Sequence, residues 1–158
     1  MKKKGFTLVE LLAVIAILAI LVIIALPNVL SMFNSAKKST FKTEVQSIFK
    51  QAQTDFIEDS VKSSGAQVYC DATTKAADSS CTDTLQLTTT KQYYVKMDSQ
   101  GNILRIGVKD SSFVYGLGTS TSTTGLNINQ IDETKISDAS KSEGTGFVMN
   151  NTVTTGQK

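Results

Sequence analysis

The chain has 158 residues, of which 41% are hydrophobic and 19% are charged, a length typical of one compact domain. It contains no histidine, the commonest general base and metal ligand, and its formal net charge of +2 favours no strong electrostatic attraction for nucleic acid. Apolar residues concentrate near the N-terminus, whereas the 37 serine and threonine residues lie mostly downstream, which argues against a uniform globular enzyme.

A basic segment with three lysines opens the chain, and the run from 11 to 26 that follows contains no polar side chain. A secretory signal peptide has an apolar stretch of about 7–15 residues and a small-residue cleavage site, and no such site closes this run. A transmembrane anchor needs roughly 20 mostly apolar residues, which residues 6–30 supply. Lysines before the span would place that end in the cytoplasm and the remainder outside.

Glu10 requires a further interpretation, because a carboxylate costs about 2.5–3.5 kcal/mol at the centre of a membrane helix and less near its end. A position at headgroup level would explain it simply. Its context, however, is Lys4-Gly-Phe-Thr-Leu-Val-Glu10 at the start of an apolar helix. This heptad resembles the processing site of the type IV pilin family, and the resemblance covers Lys2 to about Pro27.

The resemblance implies that a membrane-embedded prepilin peptidase cuts between Gly5 and Phe6 and then methylates the new Phe6 amine. It also implies that the Glu10 carboxylate pairs with the Phe6 amine of a neighbouring subunit, since each charge is costly alone in an apolar environment. The fold implied is type IV pilin-like and α+β, with a long N-terminal helix packed on a small antiparallel sheet.

Pro27 is the residue at which we expect this helix to kink. Proline removes a backbone donor and clashes with the carbonyl four residues earlier, that of Ile23. Family members commonly carry a glycine midway along the membrane helix, and here none lies between Gly5 and Pro27. Local melting on assembly would therefore depend on Pro27, and the sequence leaves open whether it occurs.

Residues 31–62 read as an amphipathic continuation of the helix. Apolar residues recur at spacings of three and four, which predicts one buried stripe. We interpret its aromatic members as core against a sheet rather than as a ligand site, and the lack of clean heptads argues against a coiled coil. The stripe comprises Phe33, Ala36, Phe41, Val45, Ile48, Phe49, Ala52, Phe56 and Ile57.

A helix from Phe6 to Lys62 would be about 85 Å long at 1.5 Å per residue. The remaining chain is too short to bury such a helix along its whole length. The first half is therefore expected to contact lipid before assembly and other copies of the same helix afterwards.

Residues 63–158 form a polar, serine- and threonine-rich head. Three β-prone runs joined by short turns predict an antiparallel meander, at 92–97, 103–108 and 112–115. Residues 146–150 are a weaker fourth strand, while 116–129 and 152–157 read as loops.

Cys70 and Cys81 enclose ten residues. Outside the membrane a disulfide is favoured over two free thiols, and closing so short a loop would stabilise the fold by roughly 2–3 kcal/mol. Two thiols without histidine are a poor metal site. Many family members carry their disulfide nearer the C-terminus, so no adhesive role is carried over to this loop.

The remaining acidic and asparagine motifs favour ordinary surface structure. Residues 98–102 lack the carboxylate pattern of a calcium loop and predict a hairpin turn. Asp132 and Glu133 read as a solvated surface pair, and the glycosylation match at 150–152 is common by chance.

Four segments follow from this reading: a leader at 1–5, a membrane and polymerisation half-helix at 6–30, an amphipathic half-helix at 31–62, and the head at 63–158. The favoured function is a structural subunit, a major pilin, held in the bacterial cell membrane as a precursor and assembled into an extracellular filament. Alternatives are a pseudopilin of a type II secretion or competence system, a minor pilin, a membrane-anchored enzyme, or an anchored binding domain.

The expected partners are other copies of the chain in a helical homopolymer, the prepilin peptidase, an ATPase-driven assembly machine and membrane lipid. No cofactor is expected, because the chain shows no phosphate-binding loop. The family's roles include adhesion, twitching motility, biofilm formation and DNA uptake. The sequence does not choose among them, and no basic run supports DNA binding.

Overall fold

The computed structural model describes residues 5–62, 65–73, 80–119 and 121–139. The chain divides into two compact units, Met1–Lys37 and Lys38–Lys158. In the described residues, one long helix is followed by an antiparallel sheet of five strands, which confirms the predicted α+β, type IV pilin-like fold. The elements are α1 (Leu8–Ser60), β1 (Val68–Cys70), β2 (Gln92–Met97), β3 (Ile103–Lys109), β4 (Phe113–Leu117) and β5 (Ser137–Asp138).

The helix α1 begins two residues later and ends two residues earlier than the predicted span of 6–62. Glycine, whose backbone is the most flexible, is absent between Gly5 and Gly65, so no glycine interrupts α1. The helix continues through Pro27, and the kink at this residue stays a prediction.

The three predicted strands are present as β2, β3 and β4, with β3 one residue longer and β4 shifted to Phe113–Leu117. The predicted turn between β2 and β3 is also confirmed. The amide of Asp98 donates to the carbonyl of Asn102 at 3.0 Å, and the amide of Gly101 donates back to the carbonyl of Asp98 at 3.2 Å. Gly101 has a φ of 84°, a backbone conformation that favours glycine.

The strands β1 and β5 were not predicted from the sequence. Both are short, three and two residues, and β5 consists of Ser137 and Asp138 alone. Neither carries the alternation of apolar and polar residues that identifies a strand. The sheet order is β1-β2-β3-β4-β5, with every neighbouring pair antiparallel. The predicted strand at 146–150, the motif at 150–152 and the loop at 152–157 lie outside the described residues.

One face of α1 packs on one face of the sheet within the C-terminal unit. The predicted aromatic stripe is core from Phe41 onward, and the Phe41 and Phe113 rings lie 5.7 Å apart. The helix contributes Phe41, Val45, Ile48, Phe49, Ala52 and Phe56, and the central strands contribute Tyr93, Val95, Met97, Ile106, Val108 and Tyr115.

Three members of the predicted stripe are not buried. Phe33 and Ile57 are 61% and 68% exposed, and Ala36 is exposed as well. Phe33 and Ala36 belong to the N-terminal unit, whose described residues, 5–37, include no strand. Ile57 follows Phe56 directly, and one residue turns the side chain about 100° around a helix. Its side chain therefore points away from the sheet.

Two short 3₁₀ turns, Ile128–Gln130 and Glu133–Lys135, connect β4 to β5. The first of them begins inside the segment predicted as a loop. The Asp132 carboxylate accepts a hydrogen bond from the Thr134 amide at 2.9 Å. Asp132 is exposed, as predicted, whereas Glu133, predicted to be equally solvated, is half-buried. Asp132 also caps the second turn. The isoleucines that end the turns, Ile131 and Ile136, are buried in the core.

Candidate functional site

The segment predicted to be cut, Gly5–Phe6, is exposed and lies just before α1. A Cβ atom built on Gly5 meets nothing within 4 Å, and Gly5 is not among the glycines with positive φ. Phe6 is 87% exposed. Among the residues that the structure describes, neither packing nor backbone conformation requires glycine at position 5, which is consistent with a requirement set by a binding partner.

Thr7 and Glu10 form a reciprocal cap at the start of α1. Glu10 Oε2 accepts hydrogen bonds from the Thr7 amide at 2.9 Å and from Thr7 Oγ1 at 2.8 Å. In return, the Glu10 amide donates to Thr7 Oγ1 at 3.3 Å. This is the capping box, which satisfies backbone donors that the first turn of a helix otherwise leaves without partners.

The capping role of Glu10 was not predicted from the sequence, where its carboxylate was expected at headgroup level or in a contact between subunits. The signal was present, since threonine followed three residues later by glutamate before an apolar run is the signature of a capping box. A carboxylate in the first turn also interacts favourably with the helix dipole. The cap thus offsets part of the cost of placing Glu10 in apolar surroundings.

Beyond this cap, α1 presents apolar side chains that the described structure does not cover. From Leu8 to Phe33 the large apolar side chains are between 43% and 76% exposed. An 18-residue window of α1 reaches a mean hydropathy of 3.2 and has none of its residues buried. Within the described residues, α1 alone is long and apolar enough to cross a membrane. So large an exposed apolar surface marks a protein or membrane contact.

The two cysteines predicted to pair do form a disulfide between Cys70 and Cys81. Cys70 lies in β1, and Cys81 begins the segment that runs beside this strand. The bond therefore links a sheet edge to its neighbouring segment instead of closing a loop near the C-terminus.

A polar cluster centred on Lys91 connects three parts of the C-terminal unit. Lys91 Nζ lies 2.6 Å from Asp110 Oδ2 in the β3–β4 turn and 3.1 Å from Glu44 Oε2 on α1. It also lies 5.7 Å from the centre of the Phe41 ring. Asp110 Oδ1 accepts hydrogen bonds from the amides of Ser112 and Phe113. These contacts hold elements together, and none of the three charged residues was predicted from the sequence to have such a role.

The pKa values of this cluster follow from burial opposed by pairing. Burial works to lower the pKa of Lys91, but its hydrogen bonds and charge interactions with Asp110 and Glu44 raise it above the ordinary value. Burial works to raise the pKa of Asp110, but hydrogen bonds from Lys91, Phe113 and Ser112 bring it below the ordinary value. Both groups are therefore stabilised in their charged forms.

The first 26 residues match the model of the prokaryotic N-terminal methylation motif. The chain carries a type IV prepilin-like signal. No curated protein and no solved structure is found to match the chain. The match spans the capping box and most of the exposed apolar part of α1, so the prepilin-like signal and the uncovered helix surface coincide.

The prepilin-like signal supports a type IV pilin-like or pseudopilin-like protein, and hence a structural protein. It implies processing by a prepilin peptidase and assembly into pilus-like filaments. Together with the apolar helix, it fits a membrane-anchored precursor that is later assembled into a filament.

Proposed function

We propose that this protein is the major structural subunit of an extracellular type IV pilus. The observation that carries the proposal is the position of the prepilin-like signal, which directly precedes and overlaps an apolar helix surface without a covering partner in the described structure. In lipid this surface is already in an apolar environment, so polymerisation would gain from helix packing and polar contacts rather than from removal of water.

In this proposal cleavage occurs between Gly5 and Phe6, and the Phe6 amine is then methylated. The exposure of both residues supports access by a peptidase. Loss of the three leader lysines changes the formal side-chain charge from +2 to −1. The new N-terminus then lies one residue before the capping threonine.

Glu10 would have two tasks in the filament, capping its own helix and pairing with the Phe6 amine of a neighbouring copy. Both hydrogen bonds from Thr7 end on Oε2, and Oε1 takes part in neither. The carboxylate can therefore keep its cap while Oε1 receives a second donor. Such a pair would reject copies that are stacked out of register, because a charge without its partner is costly in apolar surroundings.

The test compares Glu10→Ala with Glu10→Gln in cells. The amide oxygen of glutamine can still accept the bonds from Thr7, whereas its neutral side chain cannot form the ion pair. We expect both variants to lower the yield of sheared fibres by at least about tenfold, since breaking a buried pair costs about 3–5 kcal/mol. Membrane insertion and cleavage should be unchanged on immunoblots of membrane fractions.

Thr7→Val is the matched control for the cap, because it removes the hydroxyl and keeps the shape and the Glu10 charge. Fibre yield should fall less in this variant than in Glu10→Gln. Normal fibre yield in Glu10→Gln, with loss in Thr7→Val and Glu10→Ala, would mean that the cap and not the pair is what assembly needs.

Processing is tested separately with Gly5→Leu. A bulky residue before the cut should block the peptidase and leave a precursor that keeps its lysines, as mass spectrometry of the N-terminus would show. Since a Cβ atom at position 5 meets nothing within 4 Å and the position is exposed, folding should be unaffected. Efficient trimming of Gly5→Leu, or an intact Met1 in the wild-type protein, would contradict the cleavage site.

Purified fibres distinguish a major pilin from a pseudopilin. We expect this chain to be the main band of sheared surface material, in keeping with a head that is rich in serine and threonine and lightly charged. Its presence in envelope fractions alone would instead indicate a pseudopilin.

A further inference from the structure

Among the described strands β1 stands at one end of the sheet, and its two sides have different partners. On the inner side it pairs with β2, where the Met97 amide donates to the carbonyl of Gln67 and the Asp71 amide donates to the carbonyl of Tyr93. Along a strand, the N–H and C=O groups of successive residues point to opposite sides. Val68 and Cys70 therefore direct their N–H and C=O groups to the outer side, which in an end strand is open to a further strand.

A three-residue segment, Cys81–Asp83, occupies this outer side, and we call it the edge cover. The Thr82 amide donates to the Val68 carbonyl at 2.8 Å, and the Cys70 amide donates to the Asp83 carbonyl at 3.0 Å. The Val68 amide donates to Thr82 Oγ1 at 2.9 Å. The edge cover thus uses the groups through which another strand would pair.

The disulfide joins the edge cover to the strand that it covers. Cys70 is fully buried within β1, and Cys81 is the first residue of the cover. The other end is anchored by neighbouring residues, because the Leu85 amide donates to the Tyr93 hydroxyl and the Gln86 amide donates to Asp55 Oδ2. Without the disulfide, the hydrogen bonds between the cover and β1 remain, and each contributes only about 1 kcal/mol net.

We propose that the outer edge of β1 is a pairing surface for a second copy of this chain, closed by the Cys70–Cys81 disulfide. It opens when a dithiol reductant gives two electrons and two protons to this bond, which becomes two thiols while the dithiol becomes a disulfide. The edge is self-complementary. Two copies of Val68–Cys70, antiparallel about Tyr69, place Val68 of one copy opposite Cys70 of the other. Each outer N–H group then donates to an outer C=O group of the other copy. The two copies are related by a twofold axis. The inference is independent of the proposed pilus function.

The experiment uses the full chain in nonionic detergent over a range of protein concentrations. It compares the oxidised wild type with the double variant Cys70→Ser/Cys81→Ser by sedimentation velocity and by amide hydrogen exchange. We expect the protein mass of the double variant to rise about twofold with concentration. Its Val68 amide should exchange rapidly at low concentration and become protected as the mass rises.

Val68→Pro in the double variant is the control for the edge. Proline removes the outer N–H and blocks strand addition, whereas the pairing of β1 with β2 does not use the Val68 amide. We expect this triple variant to return to the wild-type mass. Association that persists in the triple variant would place the contact elsewhere and overturn the proposal.

Thr82→Val is the control for the disulfide, because it removes the hydroxyl bonded to Val68 and leaves the disulfide in place. Faster exchange at Val68 without a rise in mass is expected. Association equal to that of the double variant would show that the disulfide does not close the edge.

Amides of Val95 and Ile106, in the inner strands, report whether the sheet stays folded. They should remain protected in the double variant and in wild type treated with a phosphine reductant. The proposal fails if both treatments expose them, since association would then follow unfolding. It also fails if Val68 stays protected and the mass stays constant in both.

Discussion

Gly118 shows how a single residue limits this fold. Its φ is 82°, and a Cβ atom there would overlap the carbonyl oxygen of Leu104. Gly65 also has a positive φ, of 145°, but a Cβ atom there meets nothing within 4 Å. The two positions therefore share unfavourable backbone dihedrals and differ in the space available to a side chain.

We predict that Gly118→Ala lowers the free energy of unfolding by at least about 2 kcal/mol, because dihedral strain adds to a clash with a backbone atom that cannot turn aside. Gly65→Ala should lower it by about 1 kcal/mol, from dihedral strain alone. Urea unfolding of both full-length variants measures the difference. Equal losses would mean that the backbone near Leu104 moves freely to accommodate the methyl group.

At the scale of elements, α1 is one helix with two kinds of surface. Its core-forming residues begin at Phe41, whereas its large apolar residues up to Phe33 are exposed. The C-terminal part of α1 gains stability from packing on the sheet, and the N-terminal part requires a different apolar environment. The Lys91 cluster adds polar contacts between α1 and the β3–β4 turn.

This cluster predicts a pH dependence of stability. The lowered pKa of Asp110 means that its stabilisation is complete above the ordinary value of about 4 and is lost as the pH falls through the folded pKa. The raised pKa of Lys91 means that its stabilisation is complete below about pH 10.4 and is lost as the pH rises through the folded pKa.

We expect Asp110→Asn to lower the free energy of unfolding at neutral pH by about 1–2 kcal/mol, because the charged hydrogen bond to Lys91 is lost. Partial exposure of this pair to solvent keeps the loss small. Asparagine retains the oxygen that accepts from Ser112 and Phe113. The difference from wild type should shrink as the pH falls below about 4. Urea unfolding from neutral pH to about pH 3 tests this, with Glu133→Gln as the control. A difference that stays constant over that range would rule out the ion pair as its cause.

At the scale of the whole molecule, the described part of the N-terminal unit has no core of its own, whereas the C-terminal unit has one. The residues of the buried core cluster all lie at or after Phe41, inside the unit Lys38–Lys158. The disulfide, the five strands and the Lys91 cluster belong to the same unit.

A fragment that starts at Lys38 is therefore predicted to fold by itself. It should remain monomeric in water and unfold in one cooperative transition, because it keeps the whole core and loses the exposed apolar helix surface. Light scattering with size-exclusion chromatography and near-ultraviolet circular dichroism check the two statements. Aggregation of the fragment, or a non-cooperative transition, would show that residues before Lys38 contribute to the fold.

The sequence by itself determined the features that depend on local pattern. The prepilin-like signal is a run of adjacent residues, and the long helix and the three central strands follow from the periodicity of apolar residues. The turn at 98–102 was predicted from its residue types. These features need only neighbours in the chain, so composition and spacing were enough.

Only the tertiary structure decided which distant residues meet. Val68–Cys70 becomes a strand because β2 and the segment at Thr82 supply its hydrogen-bond partners, and Lys91 acquires its role because Glu44 and Asp110 are brought to it. Such contacts join residues far apart in the chain and leave no periodic signal. The capping box at Thr7 and Glu10 is different, since its spacing was visible in the sequence and was overlooked. The position of the disulfide at a sheet edge depended on the fold, because the pairing of two cysteines does not specify where in the sheet their strand lies.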